Sequence, residues 1–484
     1  MNARLSDIIR ADLDVDPVIS GVTADSRKVR PGYLFAALPG SKVDGRAFIP
    51  TAVQAGASAI LAGEAHPELP VPVAHAWDVR RAYALAAGAF YGEQPKTCVA
   101  ITGTNGKTSV AAFCRQIFDA LGHKSASMGT LGVALSPRAG GDQLTPPGLT
   151  TPDAADVAAN LADLARRGVT HLCMEASSHG IDQRRLDAVR LTAAGFLNLT
   201  QDHLDYHGTM GAYRASKLRL FDTLLPRGGV AVLNADSDAY GAFASASVMA
   251  GHSVMSVGQD GQGIRLLERR ATPEGQRLTV GYGGETFRTL LPLAGAFQAS
   301  NIMVAAGLCI AAGEDAGEVF AALEHIQGAP GRLQRIGAAP RGGEAYVDYA
   351  HTPDGLETVL KALRPHAKGR LMVVFGAGGD RDTTKRPLMG KAAHDLADVV
   401  MVTDDNPRSE PPSAIRAAIL AAAPGAIEIG DRREAITAAV AQLREGDVLV
   451  VAGKGHEQGQ IVAGVTHPFD DIAEVAAALG VRHG

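Results

Sequence analysis

The chain has 484 residues, and at about 100–200 residues per domain this length predicts three domains. Hydrophobic residues make up 46% and charged residues 20%, as in an ordinary globular protein, and the formal charge of -5 argues against a nucleic-acid partner. We expect no membrane insertion, because the longest apolar stretch, Met303–Ala312, is about half of the ~18 residues that a membrane helix needs. The first residues have early acids and no apolar core, so we expect no secretory signal.

The cysteines Cys98, Cys114, Cys173 and Cys309 are scattered along the chain in apolar contexts, without a CxxC pair. This pattern predicts buried free thiols in a reducing compartment, and neither disulfides nor a zinc site of cysteine ligands. We therefore expect a cytoplasmic protein, and we expect it to be a monomer.

Residues 1–92 alternate short apolar runs with turn signals, which predicts a small α/β domain. Tyr33–Leu38 and Ala57–Leu61 are typical of strands, and Ile49–Ala55 has the pattern of a helix. The polar, proline-bearing segment Gly92–Lys96 is the predicted linker to the next domain.

The second predicted domain spans residues 93–330 and opens with the β-branched strand Cys98–Thr102. Apolar residues then recur from Val110 to Leu121 at the spacing of an amphipathic helix. The segment Pro137–Pro147 is predicted to be a loop of unknown role, and Gln327–Gly331 punctuates the end of the domain.

The third predicted domain, residues 331–484, alternates strands with helices, which predicts a doubly wound, Rossmann-like parallel sheet. The predicted strands are Ala345–Tyr349, Leu371–Phe375, Val399–Thr403 and Val448–Ala452. The predicted helices are Gly355–Leu363, Pro387–Leu396, Ala414–Ala423, Glu434–Leu443 and Ile472–Leu479. The expected fold class is therefore α/β in all three domains.

A glycine loop, TGTNGKTS, joins the first strand of the central domain to its first helix. Glycine N–H groups, the helix N-terminus and Lys107 suit phosphate, and Thr108 is placed to bind the Mg²⁺ that accompanies ATP. The alternative is a glycine turn without a ligand. The residues assigned to ATP here are Gly103, Thr104, Asn105, Gly106, Lys107, Thr108 and Ser109. The loop predicts a P-loop ATPase-like domain, but kinases, GTPases and ligases all use such loops.

In this loop and in later motifs the chain resembles the Mur ligase family along nearly its whole length. The motifs are DSR…PGYLFAALPG, TGTNGKTS, LTTPD, MEASSHG, NLTQDHLDYHGT, YRASKLRLF, GRLQRI, DYAHTPD, GAGGDRDTTKRP, DDNPRSE and GKGHE. The resemblance implies a three-domain, ADP-forming ligase that phosphorylates a carboxylate to an acyl phosphate, which an amine then attacks. Within the family, the pattern is closest to the branch that adds meso-diaminopimelate to UDP-N-acetylmuramoyl-L-Ala-D-Glu during peptidoglycan precursor synthesis.

The resemblance implies a set of catalytic and metal-binding residues in the central domain. The catalytic residues would be Lys107, Glu175, His203 and Lys217, and Mg²⁺ would be held by Thr108, Glu175, His203 and Lys217. In the family the matching lysine is a carbamate formed with CO₂, whereas from sequence alone Lys217 would be an ordinary lysine on a helix surface. Asp202, Asp205 and His207 offer rival ligands beside His203.

The resemblance also places the nucleotide substrates. The UDP-substrate residues would be Ala24, Ser26, Ser41, Lys42 and Val43 at the uridine, and Leu149, Thr150, Thr151, Ser177, Gln183 and Arg185 at the sugar-peptide. Leu149 replaces an asparagine of some relatives, so its contact would be through backbone only. Further ATP residues would be Asn301, Arg332, Asp348 and His351.

In the third domain, four polar loops each follow a predicted strand and should therefore share one crevice. Arg381 and Arg408 suit carboxylates, whereas Asp405 and Glu457 suit ammonium groups. The full predicted diaminopimelate set is Arg381, Asp405, Asn406, Pro407, Arg408, Gly453 and Glu457. Lysine lacks the distal carboxylate, so it would leave Arg408 buried and unpaired.

Three alternatives remain open at this point. A lysine-adding Mur ligase is disfavoured by Arg408, and a folylpolyglutamate synthetase-like ligase should lack the N-terminal UDP segment and the DNPR motif. A P-loop kinase or nucleotide switch would have little use for a pocket with two arginines and two acids. Amino-acid-dependent ATP turnover separates the ligases from this last class.

Overall fold

The computed structural model describes residues 2–10, 15–40, 44–64, 66, 68–272 and 275–481. Contacts between residues divide the chain into two compact units. The first unit comprises Met1–Arg265 and Met303–Val319, and the second comprises Leu266–Ile302 and Phe320–Gly484. Within the described ranges, every helix is too short or too polar to cross a bilayer.

The N-terminal part of the first unit is a small parallel sheet in the order β3-β4-β5-β6. Its elements are β1 (Ala3–Arg4), α1 (Leu5–Ile9), β2 (Val18–Ile19), β3 (Gly21–Thr23), β4 (Tyr33–Ala36), α2 (Ile49–Gln54), β5 (Ala59–Ala62), β6 (Val73–His75) and α3 (Val79–Tyr91). The predicted strands at Tyr33 and Ala57 and the predicted helix at Ile49 are confirmed. Each observed end lies within two residues of the predicted end.

Helix α3 is built from alanine-rich sequence with good helix propensity. The Asp78 carboxylate caps it by accepting a hydrogen bond from the Arg81 N–H, and Gly92 ends it with a φ of 75°. The segment that follows is held in place, because the Gln94 amide bonds the Ala188 carbonyl oxygen and the Arg190 N–H. The predicted linker therefore packs against the rest of its unit.

The middle of the chain forms a larger set of strands and helices. These are β7 (Thr97–Thr102), α4 (Lys107–Ala120), β8 (Ser125–Gly129), β9 (Gly132–Leu135), β10 (Gln143–Thr145), α5 (Ala154–Arg166), β11 (His171–Glu175), α6 (Ser178–Asp182), β12 (Ala193–Phe196), α7 (Leu204–His207), α8 (Met210–Arg219), β13 (Val230–Asn234), α9 (Tyr240–Met249), β14 (Ser253–Gly258), β15 (Ile264–Thr272), β16 (Gly275–Tyr282), β17 (Glu285–Leu291), α10 (Ala296–Ala311) and α11 (Ala316–Ala322).

In the first unit these strands are ordered β10-β9-β8-β11-β7-β12-β13-β14, followed by the first residues of β15. Strands β8, β11, β7, β12, β13 and β14 are parallel, and all residues of β7 and β11 are buried. Because Glu175 pairs with Ile101, the carboxyl ends of β11 and β7 lie at the same edge of the sheet. The nucleotide loop and Glu175 therefore open onto one edge.

The prediction of a loop at Pro137–Pro147 is partly wrong. The structure places strand β10 there, antiparallel to β9, after a short 3₁₀ turn at Pro137–Ala139. Strand β10 has only three residues and carries no run of apolar side chains, so its sequence gives little sign of a strand. The pairing with β9 decides its conformation.

The second unit contains the sheet of the C-terminal part, in the order β18-β19-β23-β20-β21-β22, which is parallel except for the antiparallel pairing of β18 with β19. Its elements are β18 (Gln334–Ala338), β19 (Glu344–Asp348), α12 (Pro353–Leu363), β20 (Leu371–Phe375), α13 (Lys385–Leu396), β21 (Val399–Val402), α14 (Pro412–Leu420), β22 (Ile427–Glu428), α15 (Arg432–Ala441), β23 (Val448–Ala452), β24 (Gly459–Val462), β25 (Val465–Pro468) and α16 (Asp471–Leu479). The four predicted strands and five predicted helices of this part are confirmed, with small shifts at their ends.

Helices cover both faces of this sheet, as predicted for a doubly wound fold. In β20, Val373 and Phe375 join the core formed with α12 and α13, whereas Met372 and Val374 join the core formed with α15 and α16. A strand buried on both faces needs apolar residues at every position, which explains the uninterrupted run Leu371–Phe375. The α/β fold class is confirmed.

Candidate active site

The glycine loop between β7 and α4 is held in a tight shape. A Cβ on Gly103 would lie 2.9 Å from the Leu197 Cβ, and Gly106 has a φ of 89° where α4 begins. The Asn105 N–H donates to Asn198 Oδ1 over 2.9 Å, and Asn198 Nδ2 donates back to the Asn105 carbonyl oxygen. The loop therefore presents the N-terminus of a 14-residue helix at the edge of the sheet, which suits phosphate.

Lys107 is the first residue of α4 and folds back over the loop. Its Nζ donates to the carbonyl oxygens of Gly103 and Thr104 over 2.9 and 2.8 Å. The Thr104 hydroxyl lies 3.1 Å from the Tyr213 hydroxyl and accepts a hydrogen bond from the Thr200 N–H. Ser109 is buried in the first turn of α4. All residues predicted for this loop are thus brought together.

Glu175 ends β11 and faces the start of α4. Its Oε2 accepts a hydrogen bond from the Thr108 hydroxyl over 3.1 Å, and its Oε1 accepts one from the Thr130 N–H over 2.9 Å. Glu175 is 2% exposed, and a Cβ added to Gly129 would lie 2.0 Å from Glu175 Oε1. A carboxylate and a hydroxyl are oxygen ligands of the kind that Mg²⁺ prefers, so these residues fit the expected metal.

Lys217 lies inside the protein, so the sequence-based view of a surface lysine is wrong. It is 1% exposed, its Nζ donates to the Gly103 carbonyl oxygen over 2.8 Å, and it lies 4.6 Å from the centre of the Tyr213 ring. Burial, and then the nearby charge of Lys107, lower the pKa of Lys217 well below its ordinary value. Both effects favour the neutral amine over the ammonium form.

His203 is more exposed than the other predicted metal ligands. It precedes α7 with a φ of 52°, and its Nε2 lies 3.3 Å from Asp202 Oδ2. Its ring lies 4.8 Å from that of His179 and 6.1 Å from that of Tyr213. His203 therefore belongs to a ring cluster with His179 and Tyr213 beside Lys217. Thr108 and Glu175, by contrast, are joined directly by a hydrogen bond.

The residues predicted for the sugar-peptide form one connected network. Thr151 Oγ1 donates to the Glu175 carbonyl oxygen and accepts from the Ser177 N–H, and Arg185 Nη1 donates to the Thr151 carbonyl oxygen over 2.6 Å. Arg185 Nη2 also bonds Gln183 Oε1, and the Thr150 hydroxyl lies 2.9 Å from that of Thr130. The network therefore runs directly into the Glu175 site. Leu149 is 63% exposed.

A cavity of about 1230 Å³ lies in the N-terminal part of the first unit, and Ala24 and Ser26 line it as predicted. Arg80, Tyr83 and Asp153 line it as well, and the Tyr83 hydroxyl donates to Asp153 Oδ1 over 2.5 Å. This volume suits a nucleotide. The predicted contacts Ser41, Lys42 and Val43 lie outside the described residues.

In the second unit, the loop after β21 carries Asp405, Asn406, Pro407 and Arg408. Arg408 has a φ of 53°, its N–H bonds the Ile461 carbonyl oxygen, and its Nη1 bonds the Gly379 carbonyl oxygen over 2.8 Å. A Cβ on Gly379 would lie 1.9 Å from the Pro407 carbonyl oxygen. The loops after β20 and β21 therefore interlock as the topology predicts, and Arg381 is exposed on the first of them.

Lys454 links the acidic residues of this pocket, although it is not among the residues predicted from the sequence. It is 0% exposed, and its Nζ bonds Asn406 Oδ1 over 3.1 Å and Glu457 Oε2 over 3.2 Å. It also lies 3.8 Å from Asp405 Oδ1. A Cβ on Gly453 would lie 2.8 Å from Asp405 Oδ2. The predicted residues Asp405, Asn406, Gly453 and Glu457 thus form one cluster around a buried ammonium group.

The predicted adenosine and phosphate residues of the second unit also lie close together. The Arg332 guanidinium lies 4.5 Å from the centre of the Tyr349 ring, and Asp348 accepts hydrogen bonds from the N–H groups of Leu333 and Ala350. Burial raises the pKa of Asp348 to about 6. His351 follows on the same loop, and Asn301 Nδ2 bonds Gln298 Oε1, whose amide bonds the Arg332 carbonyl oxygen.

Sequence reasoning missed three residues that shape these sites, namely Gly129, Thr130 and Lys454. Gly129 is the last residue of β8 and Thr130 follows it, next to β11 in the sheet. The rule that ligands gather beyond the carboxyl ends of parallel strands would have pointed to both. Lys454 stands inside the GKGHE motif, but its burial could not be read from the motif.

Family models match three stretches of the chain. "Mur ligase family, catalytic domain" matches residues 18–95, "Mur ligase middle domain" matches residues 101–309, and "Mur ligase, glutamate ligase domain" matches residues 331–455. The chain is 69% identical over 481 residues to the UDP-N-acetylmuramoyl-L-alanyl-D-glutamate--2,6-diaminopimelate ligase of Caulobacter vibrioides, covering 99% of both chains. It is 53% identical to the protein of the same name from Bradyrhizobium diazoefficiens, again with 99% of both chains covered.

Solved structures give the same picture. A structure titled as a UDP-N-acetylmuramoyl-L-alanyl-D-glutamate--2,6-diaminopimelate ligase matches with a TM-score of 0.75 and 33% identity, and 99% of each chain is covered. A folylpolyglutamate synthase of Mycobacterium tuberculosis complexed with ADP matches with a TM-score of 0.62 and 22% identity over 78% of this chain. This second likeness concerns the fold alone.

Proposed function

The chain belongs to the Mur ligase family, and on that premise we propose that it adds meso-diaminopimelate to UDP-N-acetylmuramoyl-L-Ala-D-Glu. The reaction is ATP-dependent amide bond formation that releases ADP and phosphate, and it belongs to peptidoglycan precursor synthesis. The full-length relatives carry the name of this activity. The observation in the structure that supports the proposal best is the pocket that combines Arg408 with the cluster of Asp405, Lys454 and Glu457.

In the first step, an oxygen of the D-Glu side-chain carboxylate attacks the γ-phosphorus of ATP, and ADP leaves. Lys107 and the N-terminus of α4 hold the phosphates and offset their charge. Bound Mg²⁺ would add positive charge against the phosphate oxygens, and we assign Thr108, Glu175, His203 and a carbamylated Lys217 as its ligands. The short contacts of Thr108 and Thr130 with Glu175 support this assignment, because they fix the carboxylate before the substrate arrives.

In the second step, a neutral amine of diaminopimelate attacks the acyl carbon of the acyl phosphate. Phosphate leaves, the nitrogen loses a proton, and the amide remains. No covalent bond to the protein is needed, so positioning and charge account for the residues found. Thr150, Thr151, Ser177, Gln183 and Arg185 would orient the sugar-peptide, and their connection to Glu175 supports this role.

Carbamylation of Lys217 is supported by its burial and its lowered pKa. The neutral amine attacks the carbon of CO₂ and loses a proton, which converts the amine into an anionic, carboxylate-like group. An ammonium group at this position would repel a metal ion, whereas a carbamate would bind it. Lys107 also bonds the Gly103 carbonyl oxygen, and its positive charge would stabilise the new anion.

Diaminopimelate recognition in this proposal uses both signs of charge. Arg408, together with Arg381, would bind the carboxylates, and Asp405 and Glu457 would bind ammonium groups, with Asn406, Pro407 and Gly453 completing the pocket. The uridine nucleotide would occupy the cavity lined by Ala24 and Ser26, and ATP would also contact Asn301, Arg332, Asp348 and His351.

We also propose that the chain acts as a monomer in the cytoplasm, where ATP and UDP-linked precursors are made. The proposed domain bounds are 1–92 for the UDP-substrate domain, 93–330 for the ATP-binding domain and 331–484 for the amino-acid domain. Separate parallel sheets in these three stretches support the division.

The test is ATP-dependent phosphate release with Mg²⁺ and UDP-N-acetylmuramoyl-L-Ala-D-Glu, comparing meso-diaminopimelate, L-lysine and no amino acid. We expect release that requires the dipeptide substrate and strongly favours diaminopimelate. Equal or higher release with lysine would overturn the assignment of the pocket while keeping the ligase class. No turnover with either amino acid, in protein that binds ATP, would overturn the proposed reaction.

A further inference from the structure

A second cluster of metal-ligand side chains lies at the edge of the sheet opposite to the nucleotide loop. His171 is the first residue of β11, His123 follows α4, and Glu314 follows α10, all within the first unit. We propose that His123, His171 and Glu314 bind one divalent transition-metal ion of the Zn²⁺ type. This site is independent of the proposed ligase reaction, because Glu175 stands at the other end of the same strand, roughly 13 Å away at ~3.3 Å per residue.

The donor atoms of the three side chains already have the spacing of a metal site. His123 Nε2 lies 3.1 Å from Glu314 Oε2, and His171 Nε2 lies 3.4 Å from Glu314 Oε1. One donor atom from each of the three lies within 4.8 Å of the others. Ligands at about 2.0–2.1 Å from a tetrahedral Zn²⁺ are about 3.4 Å from each other, so little movement is needed to bind the ion.

Thr170 can hold His171 in the tautomer that offers Nε2 to a metal ion. The Thr170 hydroxyl lies 3.3 Å from the Lys124 carbonyl oxygen, to which it can donate, and 2.8 Å from His171 Nδ1. When the hydroxyl proton goes to Lys124, Nδ1 carries the ring proton and Nε2 presents a lone pair toward the Glu314 oxygen at 3.4 Å. A cation between these two acceptors would stabilise this arrangement.

The packing around His171 places a second imidazole directly beside it. The rings of His123 and His171 lie 3.9 Å apart, and the Phe118 ring lies 4.7 Å from that of His171. Two imidazole rings this close together can both coordinate one ion. Thr170 acts as the outer partner that orients the ligand.

The donor set selects the class of ion. Two imidazoles and one carboxylate suit Zn²⁺, Co²⁺ or Ni²⁺, whereas Mg²⁺ prefers oxygen ligands and keeps several waters. A water molecule would take the fourth coordination position, because 33% of the His123 side chain is accessible to solvent. The ion would tie the segments after α4 and after α10 to the start of β11, and would therefore stabilise the fold.

The experiment uses the full-length protein, stripped of metal by a chelator and then titrated with Zn²⁺ in excess Mg²⁺. Isothermal titration calorimetry gives the number of Zn²⁺ sites and their affinities for the wild type, His123→Ala and Glu314→Gln. His66→Ala is the matched control, because His66 Nδ1 contacts Glu68 over 3.2 Å in a pair that has no third ligand among the residues the structure describes. Zn²⁺ bound elsewhere, for example at the ring cluster of His179, is counted equally in all four proteins.

We expect one high-affinity site fewer in His123→Ala and Glu314→Gln, with an affinity loss of at least about 100-fold, and no change in His66→Ala. Thr170→Val should weaken the same site by about 10- to 100-fold without removing it. Co²⁺ should give the visible absorption of a tetrahedral site in the wild type and His66→Ala but not in His123→Ala or Glu314→Gln, and Zn²⁺ should raise the Tm of the wild type but not of Glu314→Gln. Equal numbers and affinities in all proteins, or no Zn²⁺ uptake by the wild type, would overturn the proposal.

Discussion

The hydroxyl of Thr108 donates a hydrogen bond of 3.1 Å to Glu175 Oε2, although 67 residues separate the two along the chain. Thr108 begins a helix and Glu175 ends a strand, and the parallel pairing of β7 with β11 brings them to the same edge. The contact joins the nucleotide loop to the network of Thr151 and Ser177. The nucleotide loop and this network therefore share one rigid support in the first unit.

Gly129→Ala should lower activity more than stability. The added Cβ would lie 2.0 Å from Glu175 Oε1 and would push the carboxylate away from Thr108 and Thr130. We expect kcat to fall at least about tenfold, because a displacement of about 1 Å at a catalytic group can cost ~100-fold. Steady-state phosphate release measures the effect.

Gly241→Ala is the matched control for this change. Gly241 lies in α9 with no atom within 4 Å of an added Cβ, so alanine should leave kcat unchanged and raise helix stability by up to about 1 kcal/mol. Equal kcat values for the two variants would contradict the role given to Gly129.

Lys217 should carry a carbamate that ¹³C NMR can detect after incubation with ¹³C-bicarbonate. The lowered pKa favours the neutral amine, which is the form that reacts with CO₂. We expect a carbamate signal in the wild type and its loss in Lys217→Gln, together with loss of turnover. Lys361→Gln is the control, since Lys361 is an exposed lysine paired with Glu357. An identical spectrum for the wild type and Lys217→Gln would refute the modification.

Arg408→Lys should selectively weaken the recognition of diaminopimelate. Lysine keeps the positive charge but loses the planar fork, which bonds the Gly379 carbonyl oxygen and in the proposed site would bind a carboxylate. We expect kcat/KM for diaminopimelate to fall about 100-fold, with the KM for ATP unchanged. The exposed Arg433, paired with Glu474, provides the control substitution Arg433→Lys. An unchanged preference over L-lysine would show that Arg408 does not read the distal carboxylate.

The buried pair of Arg432 and Asp471 should support stability in the second unit. Both side chains are 0% exposed, and Arg432 Nε and Nη2 bond the two carboxylate oxygens over 2.7 Å. Arg432→Met should destabilise the protein by about 3–5 kcal/mol, because it leaves an unpaired buried charge. Arg432→Met combined with Asp471→Leu should recover most of this loss. Urea unfolding checks both variants, and a double variant no more stable than the single one would argue against this cause.

Asp348 should make stability fall as pH rises from about 4 to about 6. Burial raises its pKa from 3.8 to about 6, so the folded state holds the proton over this window and the unfolded state does not. The stabilisation is complete below the unfolded pKa and is lost as pH rises through the folded pKa, by up to about 3 kcal/mol. Tm against pH should show this fall in the wild type and a flatter profile in Asp348→Asn. Parallel profiles would exclude Asp348 as the source.

Much of the architecture could be predicted from local sequence. The run Leu371–Phe375 is apolar at every position, as a strand buried on both faces must be, and TGTNGKTS stands between a β-branched strand and an amphipathic helix. By contrast, β10 escaped prediction, because a strand of three residues with one apolar side chain depends on its pairing with β9.

The sequence by itself determined the alternation of strands and helices, the position of the nucleotide loop and the residue types of the pocket, because periodicity and glycine placement act over a few neighbours. Only the tertiary structure decided that Lys217 is buried against Gly103, that Lys454 joins Asn406 to Glu457, and that His123 and His171 meet Glu314. Such contacts join residues far apart in the chain. Burial and the resulting charge states exist only after the sheets and helices have packed.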